Sequence, residues 1–186
     1  TDLGALNMTS FRELMPPGSA QIYDTDVPSA WVALPGDGEA PIREIDTGAR
    51  IGVVPTSRGA SATVVGEKIL VQDLVAHTVE VVDIQASNRS LWKTRLIGNE
   101  FATPCGGMVC VLNTQRPSGR LLDPVTGRVL AKHDGGILFG QRVGSNVVVL
   151  ECSGRATEEN PCGIDDARWR LLSRGDGAEL REGKGK

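Results

Sequence analysis

Four copies of one short pattern limit what this chain can fold into. The clearest copy is Ser118-Gly119-Arg120-Leu121-Leu122-Asp123-Pro124-Val125-Thr126-Gly127-Arg128-Val129-Leu130. It reads as strand, tight turn, strand. Proline fixes φ near the value that the second residue of a turn needs, so Asp123-Pro124 opens the turn. Glycine accepts the positive φ that ends many hairpin loops, so Thr126-Gly127 closes it. Residues 42–51 repeat the pattern around Gly48, and residues 169–180 repeat it around Gly177. Residues 81–91 repeat it with one more residue in the turn and Asn88 in the glycine position. Asparagine is the side chain that most readily tolerates left-handed backbone, so this exchange costs little. An aliphatic residue follows each turn three positions later: Ile51, Leu91, Leu130 and Leu180.

The four turn residues stand 40, 39 and 50 positions apart. A second landmark keeps the same period. About 20 residues before each hairpin turn, another turn signal leads into an apolar run. These are Pro28-Ser29 before residues 30–34, Gly66-Glu67 before 69–71, Gly106-Gly107 before 108–112, and Gly144-Ser145-Asn146 before 147–150. The longer last interval is an insertion, residues 153–166, inside the fourth repeat. Each repeat offers four strand-sized runs rich in Val, Ile, Leu and Thr, as half-buried strands prefer. After Ala20 no segment sustains the three-and-four spacing of an amphipathic helix. Uninterrupted apolar runs such as Val147–Leu150 predict sheets covered on both faces. The fold class predicted is therefore all-β, built from antiparallel sheets of about four strands each. Residues 1–20 form a leader or a closing edge segment, with Pro16-Pro17-Gly18 ending any structure in Phe11–Met15. Four repeats follow at 21–58, 59–98, 99–135 and 136–182, and residues 183–186 are a polar tail.

The chain's 186 residues suffice for a substantial core, and its 23 Gly and 10 Pro suit a chain of many tight turns. A net charge of −3 without a basic cluster argues against nucleic acid as a partner. No apolar run is long enough for a membrane-spanning helix. The chain starts without Met or a signal peptide, so a processed or excised piece is expected, with any anchor outside it. The four cysteines fall as two close pairs, Cys105 with Cys110 and Cys152 with Cys162. Four unrelated buried thiols are one reading. A zinc site is another, but the spacings are not those of zinc ligands and neither histidine lies near a pair. Local disulfides fit better: the first pair flanks the Gly106-Gly107 turn, and the second brackets the insertion. Disulfides imply an oxidising, extracytoplasmic setting.

A four-stranded unit of about 40 residues ending in a strand–D-x-x-T-G–strand hairpin resembles the pyrroloquinoline-quinone-type β-propeller repeat. Asp123 to Leu130 is the best match, and Asp83 to Trp92 the next. Residues 103–110, Thr-Pro-Cys-Gly-Gly-Met-Val-Cys, look like the cysteine-paired version in extracytoplasmic actinobacterial propellers. The resemblance covers nearly everything from Gln21 onward. It implies a β-propeller of four-stranded blades in which a Trp at the end of the motif docks one blade on the next. Here that Trp stands only at Trp92; Gly52, Ala131 and Arg181 occupy the corresponding places. Seven or eight blades are usual in the family and about four are visible. The alternatives are a partial ring, a closed four-bladed ring, and a ring completed by a second copy as a homodimer.

The family includes both a scaffold lipoprotein of outer-membrane assembly and quinoprotein alcohol dehydrogenases. The enzyme reading needs a Ca²⁺ site, an Asp base and a disulfide of adjacent cysteines, and no adjacent pair exists. Glu158, Glu159, Asp165 and Asp166 are acidic, but a solvated loop explains them as well as Ca²⁺ does. His77 and His133 lie in or near strands of different repeats without a partner motif, and are read as surface or satisfied side chains. Ser61 and Ser145 lack a nucleophile setting. The sequence therefore predicts no catalytic, cofactor-binding or metal-ligating residue. The expected role is a non-enzymatic, protein-binding scaffold in the cell envelope, with Arg155, Glu158, Glu159 and Asn160 in the candidate binding loop. A ligand-sensing ectodomain of a membrane-anchored protein and a quinoprotein-like oxidoreductase are the alternatives.

Overall fold

A computed structural model of the chain describes residues 31–33, 38–113, 118–133, 137–152 and 167–184. Every regular element among them is a β-strand. The first sheet has three strands, β1 (Trp31–Ala33), β2 (Glu39–Glu44) and β3 (Arg50–Pro55). The second has β4 (Ala60–Val65), β5 (Lys68–Asp73), β6 (Thr78–Asp83) and β7 (Arg89–Arg95). The third has β8 (Glu100–Cys105), β9 (Met108–Asn113), β10 (Ser118–Leu122) and β11 (Val129–His133). The fourth has β12 (Ile137–Val143), β13 (Asn146–Cys152), β14 (Ala167–Ser173) and β15 (Glu179–Lys184). Each sheet is an antiparallel meander in sequence order.

The four hairpin turns close as their residues dictate. In the third sheet the Asp123 carboxylate accepts from the backbone N–H groups of Val125 and Thr126, both at 2.8 Å. Gly127 N–H then reaches Asp123 O at 2.9 Å with φ at +69°. Gly48 and Gly177 take the same left-handed conformation. In the longer turn both Ser87 and Asn88 do, and the Asn88 amide also donates to Val53 O of the preceding sheet at 2.8 Å.

The core lies between sheets rather than inside any one. Side chains alternate across a strand, so β9 sends Val109 and Val111 to a cluster shared with the second sheet. It sends Met108, Cys110 and Leu112 to a cluster shared with the fourth. β5 divides likewise, with Ile69 and Val71 toward the first sheet and Leu70 toward the third. This is why β5 and β9 read as unbroken apolar runs. Val147–Leu150 is less symmetric than its sequence suggests: Val147 and Val149 are buried, while Val148 and Leu150 are only half-buried. The residues at 1–30, including the proposed closing segment, lie outside the described residues.

Candidate functional site

Four antiparallel strands bring the chain into and out of each sheet at the same end. One end therefore carries the hairpin turns at Gly48, Asn88, Asp123–Gly127 and Gly177, together with the Gly106-Gly107 turn. The opposite end carries the described links between sheets, residues 56–59 and 96–99, and the β5–β6 turn.

The turn end is structural. A Cβ on Gly127 would stand 2.8 Å from Cγ and Cδ2 of Trp92, the residue of the second sheet on which this turn rests. Trp92 Nε1–H donates to Pro124 O at 3.0 Å. Gly177 packs in the same way on Leu130, and Arg128 donates to Gly175 O at 2.8 Å. Between the first two sheets Ile84 covers Gly52. Cys105 and Cys110 form a disulfide across the β8–β9 hairpin, and both are buried. Its neighbour is Gly140 of β12, where a Cβ would stand 2.7 Å from Cys105 Cβ. The side chain of Cys152, and all of Cys162, lie outside the described residues. So do Arg155, Glu158, Glu159 and Asn160 of the candidate loop, and the acidic Asp165 and Asp166.

The opposite end carries two features. The first is an aliphatic patch on the second sheet. Leu74, Val75 and Ile97 are 54%, 77% and 69% exposed. They sit on neighbouring loops that hydrogen bonds hold in place. Asp73 Oδ1 accepts from Val75 N–H at 2.9 Å and Ala76 N–H at 2.7 Å, and its other oxygen pairs with the Ser57 hydroxyl. Leu96 N–H reaches His77 O at 2.8 Å, joining the Ile97 loop to the Leu74–Val75 turn. The Val75 side chain leans toward Gly59 of a third loop. His77 is exposed at the edge of this patch with φ at +51°.

The second feature is a buried charged cluster between the third and fourth sheets. His133 ends β11 and bonds through Nδ1 to Glu151 Oε2 of β13, with both side chains almost wholly buried. Arg168 of β14 grips the other oxygen, Glu151 Oε1, through Nε at 2.9 Å and Nη2 at 2.6 Å. Arg170 Nη1 lies 3.7 Å from Glu151 Oε2. The strand β15 supplies counter-charges, with Glu179 Oε2 2.6 Å from Arg170 Nε and Glu182 Oε2 3.2 Å from Arg168 Nη1. Burial would raise the Glu151 carboxyl, but the Arg168 and His133 hydrogen bonds outweigh it and hold it below the usual carboxylate range. Burial pulls the His133 imidazole below its ordinary value; the Glu151 bond opposes this, and the charges of Arg170 and Arg168 add to it.

His77 stands on the surface, as the sequence reading has it. His133 differs: it is buried and half-satisfied, because its Nε2 has no hydrogen-bond partner among the described residues. Part of the signal for this pair was present in the sequence. With a period of two, Ala131 and His133 share one face of β11, and Val147, Val149 and Glu151 share one face of β13. Both titratable residues therefore fall on core-facing positions. Among the described residues no group of His, Cys, Asp and Glu side chains is placed to hold a metal ion.

No family model matches this chain, and no curated protein matches it in sequence. Its fold does match solved structures. Against Hsv2 from Kluyveromyces lactis the TM-score is 0.50 at 12% identity, over 85% of this chain and 49% of that one. Against the Pan2 WD40 domain of Neurospora crassa it is 0.48 at 13% identity, over 83% and 49%. Against BamB from Moraxella catarrhalis it is 0.44 at 16% identity, over 90% and 54%. The architecture is thus an all-β one of four-stranded antiparallel blades matching β-propeller structures, three blades complete and the first partial among the described residues. The chain spans about half the length of the propellers it matches.

Proposed function

We propose that this chain is a non-enzymatic, protein-binding propeller scaffold of the cell envelope, which presents the loop end of its second blade to a partner. The observation that carries the reading is the patch of Leu74, Val75 and Ile97. Single exposed aliphatic residues are ordinary. Three on adjoining loops, fixed by the Asp73 carboxylate and the Leu96–His77 bond, form a preorganised apolar surface. A surface fixed before binding loses less entropy when a partner docks. Loops on a rigid sheet framework are where such folds carry recognition. The Cys105–Cys110 disulfide favours the extracytoplasmic setting.

The test places a photo-crosslinking amino acid at position 75, and at Glu67 on the opposite end as a control, in an extract of the source cell's envelope. Position 75 should yield a discrete adduct and position 67 none. The triple variant Leu74→Ser, Val75→Ser, Ile97→Ser should abolish the adduct with its melting temperature nearly unchanged. Equal labelling at both positions, or an adduct that survives the triple change, overturns the reading.

A further inference from the structure

We propose that His133, Glu151 and Arg168 form an acid-sensitive latch that holds the fourth blade against the third and opens as the pH falls below about 6.5. The inference stands on where the cluster lies and how its bonds are used.

The Nδ1 atom of His133 faces a carboxylate oxygen of Glu151. An ionised carboxylate only accepts, so Nδ1 carries the proton and donates it. Arg170 Nη1, 3.4 Å from the same nitrogen, can only donate and cannot replace that bond. The neutral tautomer therefore leaves a lone pair on Nε2, in a position where nothing among the described residues bonds to it. Acid adds its proton there. The imidazolium then has a buried N–H without an acceptor among the described residues, which is costly.

Glu151 alone would favour the imidazolium, but its charge is already engaged. Arg168 grips one oxygen with two bonds, and Arg170 lies near the other. From β15, Glu179 and Glu182 face the two guanidinium groups. From β10, the residue paired with His133 is Gly119, which offers no side chain. On β11 itself Lys132 points to the exposed side. The set carries three carboxylates against two guanidinium groups, so it is burial and the unpartnered Nε2, not net charge, that resist the proton.

The link is structural as well as electrostatic. His133 is the last residue of the third blade's outer strand, and Glu151 and Arg168 are register partners on β13 and β14 of the fourth. The group therefore bridges two blades and pins the base of the β13–β14 connection. Because the folded form resists the proton, the unfolded or opened form binds more of it below about pH 6.5. Stability is complete above that pH and falls below it.

The chain has only two histidines, so each can be followed by its ring NMR signals in the whole protein. The His133 ring should stay neutral near neutral pH. It should take up its proton at lower pH, together with loss of amide protection in β11, β13 and β14 but not in β4–β7. The melting temperature should drop between pH 7.5 and 5.5 by about 2–4 °C more in wild type than in His133→Gln. If that variant does not fold, the wild-type titration decides alone. An imidazolium signal for His133 already at pH 7.5, or protection in β13 and β14 that is the same at pH 7.5 and 5.5, overturns the latch.

Discussion

Gly127 shows how one atom can join two blades. Its φ of +69° already excludes a relaxed side chain, and its α-carbon rests on the Trp92 ring. Gly144 has nearly the same φ, +60°, but a Cβ there would meet nothing within 4 Å. The two positions therefore separate backbone strain from steric conflict. Gly144→Ala should cost about 1–2 kcal/mol, the penalty of left-handed backbone alone. Gly127→Ala should cost about 1–3 kcal/mol more, because the methyl group must displace a packed ring. Urea denaturation of both variants measures the difference. Equal losses would mean that Trp92 moves aside freely and that this contact does not join the blades.

The β8–β9 hairpin is the element in which sequence and structure agree most directly, and its disulfide is the part most open to measurement. Cys105 and Cys110 stand five positions apart, so their bond restricts the unfolded chain only modestly, by about 2 kcal/mol on the chain-entropy estimate. Both residues are buried against Met108, Leu121 and Val147 of the cluster shared with the fourth blade. A thiolate reductant must reach the sulfur itself. The bond should therefore resist dithiothreitol in the native protein and yield readily in denaturant, as counted by thiol labelling. Rapid reduction of the native protein would contradict the buried placement. The hairpins were legible because each depends on a few adjacent residues: Asp123 with Gly127, or Gly106 with Gly107. The charged cluster was not, because His133, Glu151 and Arg168 come from strands 18 and 17 residues apart. Period two puts His133 and Glu151 on core faces, but it does not say which strands face each other across the sheet boundary. The Leu74–Val75 patch escaped for the opposite reason. Leu74 after Asp73 reads as the continuation of β5, and only the Asp73 carboxylate bonds show that the chain has already turned.

At the scale of the whole molecule, stability is a sum over blades and over the faces between them, as in other repeat folds. The three clusters between sheets supply most of it, since each fully buried Val, Leu or Ile is worth about 1.5–3 kcal/mol. Two tryptophans of similar burial test this division, because they occupy different terms of the sum. Trp92 belongs to a face: it packs on the cluster between the second and third blades, supports Gly127 and donates to Pro124 O. Trp169 belongs to a blade: its register partner is Gly183 of the adjacent strand, and a Cβ there would stand 2.5 Å from the indole. Trp92→Ala should cost about 2–4 kcal/mol, somewhat below the range for a fully buried tryptophan. Its effect on amide exchange should appear on both sides of the joint, in β7 and in the β10–β11 turn. Trp92→Phe, which keeps most of the packing and loses the N–H donor, should cost about 1 kcal/mol of hydrogen bonding plus the smaller ring's lost contacts. Trp169→Ala should loosen β14 and β15 and leave β7 unchanged. Exchange mapped by strand distinguishes the outcomes. If Trp92→Ala affected only its own blade, the faces would be independent of one another. The D-x-x-T-G hairpin would then be a turn that happens to recur, rather than the joint that couples each blade to the next.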